Sequence, residues 1–518
     1  MFETSFFVNV FNKVALFISV VFKNSLIGSA WQALKKVFQK LAQTSFFVKL
    51  AKLQFSKYSF NENSLLYRWM DRLINFLPWL LKKLYVRFEA AFKNSVLFRI
   101  VAFFARNLSA LIALFMLVVF VVPHKTSFIS WNNMYTAYAV ILFFILFMIK
   151  AMIEEGTRIQ VKAVNVFFYI FVIMVIYGLV TSFSFSLSLR FLVFHFTCFM
   201  LVLMMVSAIK TKEELTTFIE LVLVGATLCG LYGLYQAVKG VPVDVSQIDI
   251  SQNAGAPGRI YSTFENPNNF AQVMTMMIPF YVGVIFGAKG IKKKIIFVLA
   301  ALPPVLSLLL TLSRTSWIGL AVAAFVFLLL THPKVIPWLI VCGVLLLPVM
   351  PSYIITRIGT IFKMNDSSIT YRFKIFKTMW PVIEDYSITG IGLGNNIVSQ
   401  ITNNYPIYTD YNKVPVHCHN LYLQVWAEMG IVGLTSLLMF IAATIKSCIG
   451  KVRRLGEDLQ MKYFLASGVA SISGILVTAL GEYIWFYPRN MLVFWMIVGL
   501  MIVGLNLARN ARHGEVME

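Results

Sequence analysis

One histidine lies where a polar stretch meets an apolar segment, a position suited to proton transfer. His419 directly precedes this segment, and Asn420, Gln424 and Glu428 recur within it every four residues. In an α-helix this spacing places the three side chains on one face. A carboxylate within an apolar helix is costly and usually faces the protein interior or a water-filled cavity. We therefore predict that His419 is catalytic, as a group that exchanges a proton near neutral pH. We also predict that Asn420, Gln424 and Glu428, here called the polar stripe, bind substrate. The alternative is a hydrogen-bonded interface histidine.

Three arginines have the chemistry to hold phosphate oxygens. A guanidinium offers a planar fork that binds two oxygens at once and keeps its charge. Arg314 lies between two apolar segments with almost no loop, and Arg259 lies in a polar stretch that also contains Asn266 and Asn268, candidate substrate-binding residues. Arg372 lies on a predicted amphipathic helix. The alternative interpretations are interfacial anchors for Arg259 and Arg314 and a solvated helix face for Arg372.

A metal site is the competing interpretation of the histidine pair. His417 and His419 are two residues apart, but no third ligand stands at a convincing spacing from them. Zinc and similar ions require three or four protein ligands. The sequence therefore predicts neither a metal ion nor another cofactor.

The composition indicates a membrane protein. The chain has 518 residues, of which 59% are hydrophobic and 13% charged. A soluble domain of this size needs a more polar surface. The net charge is +23, and residues 1–107 hold 16 Lys and Arg against four Asp and Glu. Basic residues beside apolar segments are typical of contact with anionic membrane lipids, so the charge does not indicate nucleic-acid binding.

About twelve apolar spans follow residue 107, and loop charge predicts their orientation. Lys and Arg are concentrated in alternate loops, such as 289–294 and 446–462, whereas the short loops on the other side are nearly bare. The positive-inside rule then places both termini in the cytoplasm. Arg259, Arg314 and His419 fall on the outer side, together with Arg372 in a long extracytoplasmic loop over 351–419. The predicted spans are 108–123, 134–149, 163–184, 187–209, 215–238, 267–288, 294–312, 316–331, 335–350, 420–445, 463–481 and 490–508.

Two regions are predicted, a membrane-surface region over 1–107 and a transmembrane domain over 108–518. In the first region basic and apolar clusters alternate at helical spacing, and charges recur too often for a buried span of about 20 residues. The predicted position is the cytoplasmic membrane surface. The alternative is a docking platform for other proteins of the same pathway.

Four sequence stretches together resemble the family of O-antigen ligases and related polysaccharide polymerases. They occur in the family's order within residues 255–435, whereas residues 1–107 match nothing in that family. Relatives commonly have Gly before Asn-Pro, where this chain has Glu265, which places in doubt the local charge near the expected phosphates. The stretches are Arg259–Asn268, Leu312–Trp317, Arg372 with Trp380–Gly394, and His419–Gly430.

The resemblance implies an all-α, GT-C-like fold and an inverting, metal-independent glycosyltransferase in the bacterial cytoplasmic membrane. The implied donor is an oligosaccharide on undecaprenyl diphosphate, and the implied acceptor is a glycan or lipid-linked glycan on the outer face. Family members use a His and two Arg, which correspond here to His419, Arg314 and either Arg259 or Arg372. We favour Arg259 as the second catalytic arginine and Arg372 as a substrate-binding one. Other polysaccharide-assembly proteins are implied partners.

Two other functions remain open at this stage. A twelve-span bundle with interior polar residues also suits a transporter or flippase for lipid-linked sugars, although such proteins often have paired inverted repeats and none is found here. A noncatalytic assembly scaffold is favoured only by the basic region 1–107. The sequence also leaves open whether a transferase of this kind polymerises or ligates.

Overall fold

All regular secondary structure among the described residues is helical. No β-strand occurs among the described residues, so the predicted all-α class is confirmed. Most of the predicted membrane-surface region, residues 1–63, lies outside the described residues. The computed structural model describes Ser29 and residues 64–123, 134–244, 257–362, 367–409, 414–456 and 458–515.

Capping side chains fix several helix starts. Thr211 accepts a hydrogen bond from the Glu214 backbone N–H at the start of α9, and Asn266 accepts one from Asn268 at the start of α10. Such caps satisfy backbone donors that the helix leaves unpaired. The helices are α1 (Leu65–Ile74), α2 (Phe76–Arg87), α3 (Glu89–Asn94), α4 (Val96–Arg106), α5 (Leu108–Val121), α6 (Met134–Ile153), α7 (Val166–Val180), α8 (Phe185–Ala208), α9 (Lys212–Lys239), α10 (Pro267–Gly287), α11 (Ile291–Leu310), α12 (Arg314–Thr331), α13 (Ile336–Leu346), α14 (Ser352–Gly359), α15 (Ser367–Asp385), α16 (Asn395–Thr402), α17 (Leu421–Val452), α18 (Leu459–Thr478) and α19 (Pro488–Glu515).

The chain is a multi-pass membrane protein, as predicted. Among the described residues, nine helices are long and apolar enough to cross a membrane, and each corresponds to a predicted span. Helices α4 and α5, bent by 71° relative to each other, together qualify as a tenth. The nine helices are α6, α8, α9, α10, α11, α12, α17, α18 and α19.

Two predicted spans are shorter helices. Helix α7 has 15 residues and α13 has 11, which at 1.5 Å per residue is below the thickness of about 30 Å of a bilayer core. Short 3₁₀ turns at 333–335 and 347–349 flank α13 and lengthen the segment. Arg314, at the start of α12, donates a hydrogen bond to the Thr360 carbonyl at 3.1 Å. The chain between α12 and Thr360 therefore returns to the end of the bundle where α12 begins.

Helix α19 is the central helix of the bundle, and its apolar stretch is almost wholly buried. Trp495 on α19 stacks on Phe171 of α7 and on Phe440 of α17, with ring centroids 6.1 and 5.8 Å apart. Large aromatic surfaces buried in this way contribute strongly to packing. The three helices are thereby held in one core.

Helices α12 and α18 approach each other closely, which positions one of the candidate arginines. A Cβ atom at Gly319 would lie 2.8 Å from the Gly474 carbonyl oxygen, so a larger residue does not fit. Small residues permit such contacts between membrane helices. Near the same end, the Thr478 hydroxyl donates to the Thr315 carbonyl at 3.2 Å. Arg314 therefore lies beside the C-terminal end of α18.

The predicted outer loop 351–419 contains helices α14, α15 and α16 and has a small hydrophobic core of its own. This core includes one residue of α17 and so attaches the loop to that helix. Arg372, on the first half of α15, is held by this packing. The core residues are Ile375, Met379, Val382, Ile383, Ile391, Ile397, Val398, Ile401, Cys418 and Ala427.

Helix α1 packs against the segment that leads into α7, and helices α2 and α4 pack against α6. The Tyr67 hydroxyl donates to the Val164 carbonyl at 3.1 Å, and the Asn75 side chain accepts from the Ile159 backbone N–H at 2.8 Å. Large apolar side chains on these helices stay exposed, among them Trp79. The predicted position of this region at the membrane surface stays a prediction.

Candidate active site

A buried carboxylate between α18 and α19 connects the polar loops. Glu482 is 6% exposed. Its Oε1 accepts hydrogen bonds from Arg372 Nη2 at 2.5 Å and from Asn268 Nδ2 at 3.2 Å. Its Oε2 lies 3.9 Å from His419 Nδ1, which is longer than a hydrogen bond. Glu482 thus joins the start of α10, helix α15 and the loop before α17.

The carboxylate of Glu482 is ionised at neutral pH. Burial alone would raise its pKa, but the charge of Arg372 and the neighbouring His419 lower the pKa to about 2. A buried ion is tolerated when an opposite charge and hydrogen bonds compensate for lost hydration. Glu482 therefore depends on Arg372 for its charged state.

Arg259 approaches Glu482 through an asparagine. Its Nη2 donates to Asn268 Oδ1 at 2.5 Å, and its Nε donates to the Thr311 carbonyl at 2.7 Å. Burial and the nearby Arg357 lower the pKa of Arg259 to about 9, so the guanidinium is still protonated at neutral pH. Asn268 is held between a cation and an anion, which fixes the orientation of its amide.

Two further arginines lie buried close to Arg259. Arg314 Nη1 donates to the Thr360 carbonyl and Arg357 Nε to the Leu312 carbonyl, both at 3.1 Å. Arg314 and Arg357 are 8% and 5% exposed, and the charge of each lowers the pKa of Arg259. The term arginine cluster denotes Arg259, Arg314, Arg357 and Arg372.

The site has an excess of positive charge. The arginine cluster supplies four guanidiniums against the one buried carboxylate of Glu482, and the excess persists when the exposed Glu265 is counted. Helices α10, α12 and α17 also begin here, because Asn268, Arg314 and His419 lie at or just before their first turns. Helix N-termini carry partial positive charge and bind phosphates. The arrangement is suited to a ligand with several negative charges.

Three of the loops at the site each contain a strained residue. Ser262, Leu312 and His419 have φ angles of 53°, 54° and 46°, and they are the non-glycine residues with positive φ in the described part of the chain. Such conformations cost about 1–3 kcal/mol each and cluster at functional sites.

His417 contacts the backbone and the ring of His419. The His419 backbone N–H donates to His417 Nδ1 at 3.1 Å, and the two ring centroids are 4.1 Å apart. Burial and the neighbouring His419 lower the pKa of His417 to about 3, so His417 is neutral and can accept this hydrogen bond. Across the described ranges, no three His, Cys, Asp or Glu side chains are placed to share a metal ion.

The first two residues of the polar stripe hold the loops around His419. Asn420 caps α17 and donates from Nδ2 to the Leu480 carbonyl at 2.9 Å. Gln424 Oε1 accepts from the Cys418 backbone N–H at 2.8 Å. Both side chains are buried. Their contacts fix the backbone on either side of His419 and the loop that leads to Glu482.

The third stripe residue is fully buried within the same network. Glu428 Oε1 accepts from Gln424 Nε2 at 2.8 Å and from the Gly394 backbone N–H at 3.1 Å. The Tyr483 hydroxyl, next to Glu482 in the chain, donates to the same oxygen at 3.4 Å. Glu428 therefore links α17 to two of the loops that form the site.

The loop after α15 packs directly on the backbone of α17. The Ile391 N–H donates to the Ala427 carbonyl at 2.8 Å, and the Ile431 N–H donates to the Ser387 carbonyl at 2.7 Å. These bonds require a break in α17, which occurs at Gly430 with a φ of 71°. Only glycine adopts this conformation readily. The break lies two residues beyond Glu428.

The structure brings together five residues that the sequence analysis selected. They come from separate parts of the chain and are connected through hydrogen bonds or electrostatic contacts. Asn266 caps α10 and fixes the turn that presents Asn268, and its binding of substrate stays a prediction. The five residues are Arg259, Asn268, Arg314, Arg372 and His419.

Sequence reasoning missed two residues of this site. Glu482 is a lone acid in the short loop between the last two predicted spans, and Arg357 lies a few residues beyond the ninth predicted span. A lone acid next to a span on the side that carries the arginines was the available signal for Glu482. For Arg357 no comparable signal exists, because the long loop has several basic residues.

Comparison with known proteins confirms the resemblance. Residues 296–438 match the model of the O-antigen ligase family. The O-antigen ligase of Salmonella typhimurium strain LT2 is 26% identical over 198 residues, which is 36% of this chain and 47% of that protein. The teichuronic acid biosynthesis protein TuaE of Bacillus subtilis strain 168 is 22% identical over 381 residues, which is 70% of this chain and 75% of that protein.

The family match covers part of the site. Arg314, Arg357, Arg372 and His419 lie within residues 296–438, whereas Arg259 and Glu482 lie outside this range. The chain spans about half the length of the Salmonella relative, 47%.

Proposed function

We propose that this membrane protein, which resembles the O-antigen ligases, is a glycosyltransferase in cell-surface polysaccharide assembly. It would transfer or polymerise an oligosaccharide linked to undecaprenyl diphosphate, and the acceptor would be a second glycan or lipid-linked glycan on the outer face of the cytoplasmic membrane. The observation that carries the proposal is the buried arginine cluster beside His419 and Glu482.

The arginine cluster suits a diphosphate leaving group. When the bond between the sugar and the diphosphate breaks, negative charge accumulates on the phosphate oxygens. Fixed cations in a water-poor site stabilise this charge strongly, because they need no reorganisation as the reaction proceeds. Arg259 and Arg314 are mostly buried and anchored to backbone carbonyls at 2.7 and 3.1 Å. They would supply this stabilisation without a metal ion.

His419 would act as the general base on the acceptor hydroxyl. Its Nδ1 faces Glu482 Oε2 at 3.9 Å, and its side chain is 31% exposed. A carboxylate on one ring nitrogen orients the imidazole and stabilises its protonated form. Such contacts often shorten when substrate binds. Nε2 would then be the atom that takes the proton.

With these groups, an inverting transfer can proceed in a single step. The acceptor oxygen attacks the anomeric carbon on the face opposite the diphosphate and forms the new C–O bond. The bond from the anomeric carbon to the phosphate oxygen breaks, and its electron pair leaves with the diphosphate. The acceptor proton moves to Nε2 of His419. His419 and the arginines that would hold the diphosphate, Arg259 and Arg314, would therefore lie on opposite sides of the reacting sugar.

The polar stripe and the polar stretch around Arg259 would position these groups. Asn420 and Gln424 fix the backbone around His419, and Glu428 ties them to the loop after α15. Asn268 bridges Arg259 and Glu482 and is placed to contact the donor as well. Asn266 acts through the turn that it caps.

Arg314→Lys should lower kcat/KM for the donor by about 10–100-fold, because a lysine keeps the charge but loses one or more charge-assisted hydrogen bonds, worth about 1.5–3 kcal/mol each. Initial rates with purified protein at varied donor concentration measure this effect. Arg453→Lys, at an exposed position after α17, is the matched control and should leave the rate unchanged. Equal kinetics for the Arg314 variant and the wild type would indicate that Arg314 is an interfacial anchor and does not bind the donor.

The proposed outer location of the site predicts a labelling pattern. In a Cys342→Ser background, Asn403→Cys after α16 should react with a membrane-impermeant thiol reagent in intact cells. Arg454→Cys after α17 should react only once the membrane is permeabilised. Both positions are exposed, so accessibility from each side of the membrane decides the result. The reverse pattern would contradict the orientation.

A product assay tests the function itself. Purified protein receives a lipid diphosphate oligosaccharide, with and without a separate acceptor, and mass spectrometry sizes the products. A ladder of lengths indicates a polymerase, and a single transfer to the separate acceptor indicates a ligase. Absence of any transfer under both conditions would contradict the proposal and favour transport or scaffolding.

A further inference from the structure

A cavity lies at the end of the bundle opposite the candidate active site. Its volume is about 470 Å³, and helices α9, α10, α11 and α18 enclose it. This volume falls within the range of about 300–1,000 Å³ for ligand pockets. The deeper part is apolar, and its lining includes Leu215, Ile219, Phe280, Val284, Met461 and Phe464.

The cavity is separate from the arginine cluster. Helix α10 begins at the candidate active site and reaches the cavity at its other end, at Gly287. Its 21 residues correspond to about 30 Å at 1.5 Å per residue. Loop charge predicts that this end faces the cytoplasm. A ligand in this cavity therefore has no contact with His419.

Four lysines line the cavity, and two of them are neutralised. Lys212 is paired with Asp458 at 2.6 Å, and Lys293 is paired with Glu220. These pairs cross between helices, Lys212 from α9 to the residue that precedes α18 and Lys293 from α11 to α9. They therefore hold the walls of the cavity together.

The other two lysines leave a net positive charge at its rim. Lys289 and Lys292 are exposed, and neither has an acidic partner among the described residues. Between them, Gly290 precedes the first turn of α11 and leaves open space. The N-terminal ends of α9 and α18 also lie here, since Lys212 and Gln460 line the cavity. Three partially positive helix ends add to the two lysines.

A lipid-exposed helix forms one wall. On α11 the side chains of Ile295, Leu299 and Leu302 are 52%, 59% and 49% exposed, although the helix is apolar enough to span a membrane. Its outer face therefore contacts lipid tails. A molecule from the adjacent leaflet can reach the cavity beside this helix with its headgroup at the level of Lys289 and Lys292.

We propose that this cavity binds an anionic glycerophospholipid. The headgroup phosphate contacts Lys289 and Lys292, and one acyl chain occupies the apolar part between α9, α10 and α18. The charge complementarity at the rim selects the anionic headgroup, and the apolar lining selects a lipid over a soluble phosphate. This site is independent of the proposed transferase activity.

Lipid titration of the full-length protein in neutral detergent tests the site. Native mass spectrometry measures retained lipid, and thermal unfolding measures stabilisation, with phosphatidylglycerol, with phosphatidylcholine of the same chains, and with glycerol phosphate alone. The wild type should retain phosphatidylglycerol and unfold at a higher temperature with it than with the other two. Lys289→Gln/Lys292→Gln should weaken this affinity by about tenfold or more, since each lysine contributes about 1 kcal/mol near anionic lipid.

A matched variant distinguishes the cavity from general surface charge. Arg453→Gln/Arg454→Gln removes two exposed charges from the same end of the bundle, and neither residue lines the cavity. This variant should bind phosphatidylglycerol like the wild type. Equal loss in both variants, or equal binding of phosphatidylcholine, would overturn the proposal. Equal stabilisation by glycerol phosphate would assign the site to a soluble phosphate instead.

Discussion

His419→Ala is expected to lower the rate of glycan transfer by about 10²–10⁴-fold, the usual contribution of a general base. Donor binding should change little, because the arginine cluster and Asn268 remain in place. The variant should also fold, since the His419 side chain is partly exposed. Single-turnover rates and donor affinity, measured separately on purified protein, check both parts of this expectation.

His332→Ala is the matched control for this variant. His332 ends α12 at the opposite end of the bundle, where it stacks on Tyr463. The same substitution there should leave the transfer rate within about twofold of the wild type, since His332 is remote from any group that would exchange a proton in the reaction. A normal transfer rate for His419→Ala would show that His419 takes no part in the reaction. An equal loss of transfer rate in both variants would indicate a structural effect.

Glu482→Gln should impair both the reaction and the stability of the fold. The substitution removes the counter-charge of Arg372 and the carboxylate that orients His419. Removing one partner of a buried ion pair typically costs about 3–5 kcal/mol. We expect a transfer rate at least about 10²-fold lower, because a misoriented base loses most of its contribution. Glu155→Gln, at an exposed position in the loop after α6, is the matched control and should affect neither property. Wild-type rate and stability in Glu482→Gln would contradict the role of Glu482.

The pH dependence of stability gives a second signature of Glu482. Its pKa is lowered from 4.5 to about 2 in the folded protein. A lowered carboxyl pKa contributes stability that is fully present above pH 4.5 and is lost as the pH falls towards 2. At 1.36 kcal/mol per pKa unit the contribution is about 3 kcal/mol. Thermal unfolding of the wild type should show this loss, and Glu482→Gln should lack it.

Most of the membrane architecture was predictable because long apolar runs constrain the chain strongly. Nine predicted spans are full-length helices. The exceptions are instructive, since α13 is extended by 3₁₀ turns on both sides. Hydropathy indicates how long an apolar segment is. It does not indicate which part of the segment forms an α-helix and which part forms 3₁₀ turns.

The stripe residues show a different limit of sequence reasoning. The four-residue spacing correctly indicates that Gln424 and Glu428 share a face of α17, whereas Asn420 caps the helix. What the face contacts could not be predicted, because the partners come from distant loops: Leu480 for Asn420 and Gly394 for Glu428. Asn266 and Asn268, at the start of α10, differ for a related reason. The Asn266 side chain makes a local helix cap, whereas the Asn268 side chain contacts the distant Glu482.

Glu482 could not be assigned from the sequence because its function depends on three distant residues. Arg372 is 110 positions away and Asn268 is 214 positions away along the chain. A lone carboxylate at the end of a span is also typical of a solvated interface. The tertiary structure alone reveals that Glu482 is buried and paired.

The most direct test of the account is acceptor-dependent release of undecaprenyl diphosphate by the purified protein in the presence of EDTA. The wild type should release one lipid diphosphate for each glycan transferred, at a rate that EDTA does not change. His419→Ala should bind the same donor and release almost none. Absence of release by the wild type, or equal release by wild type and His419→Ala, would contradict transfer at this site.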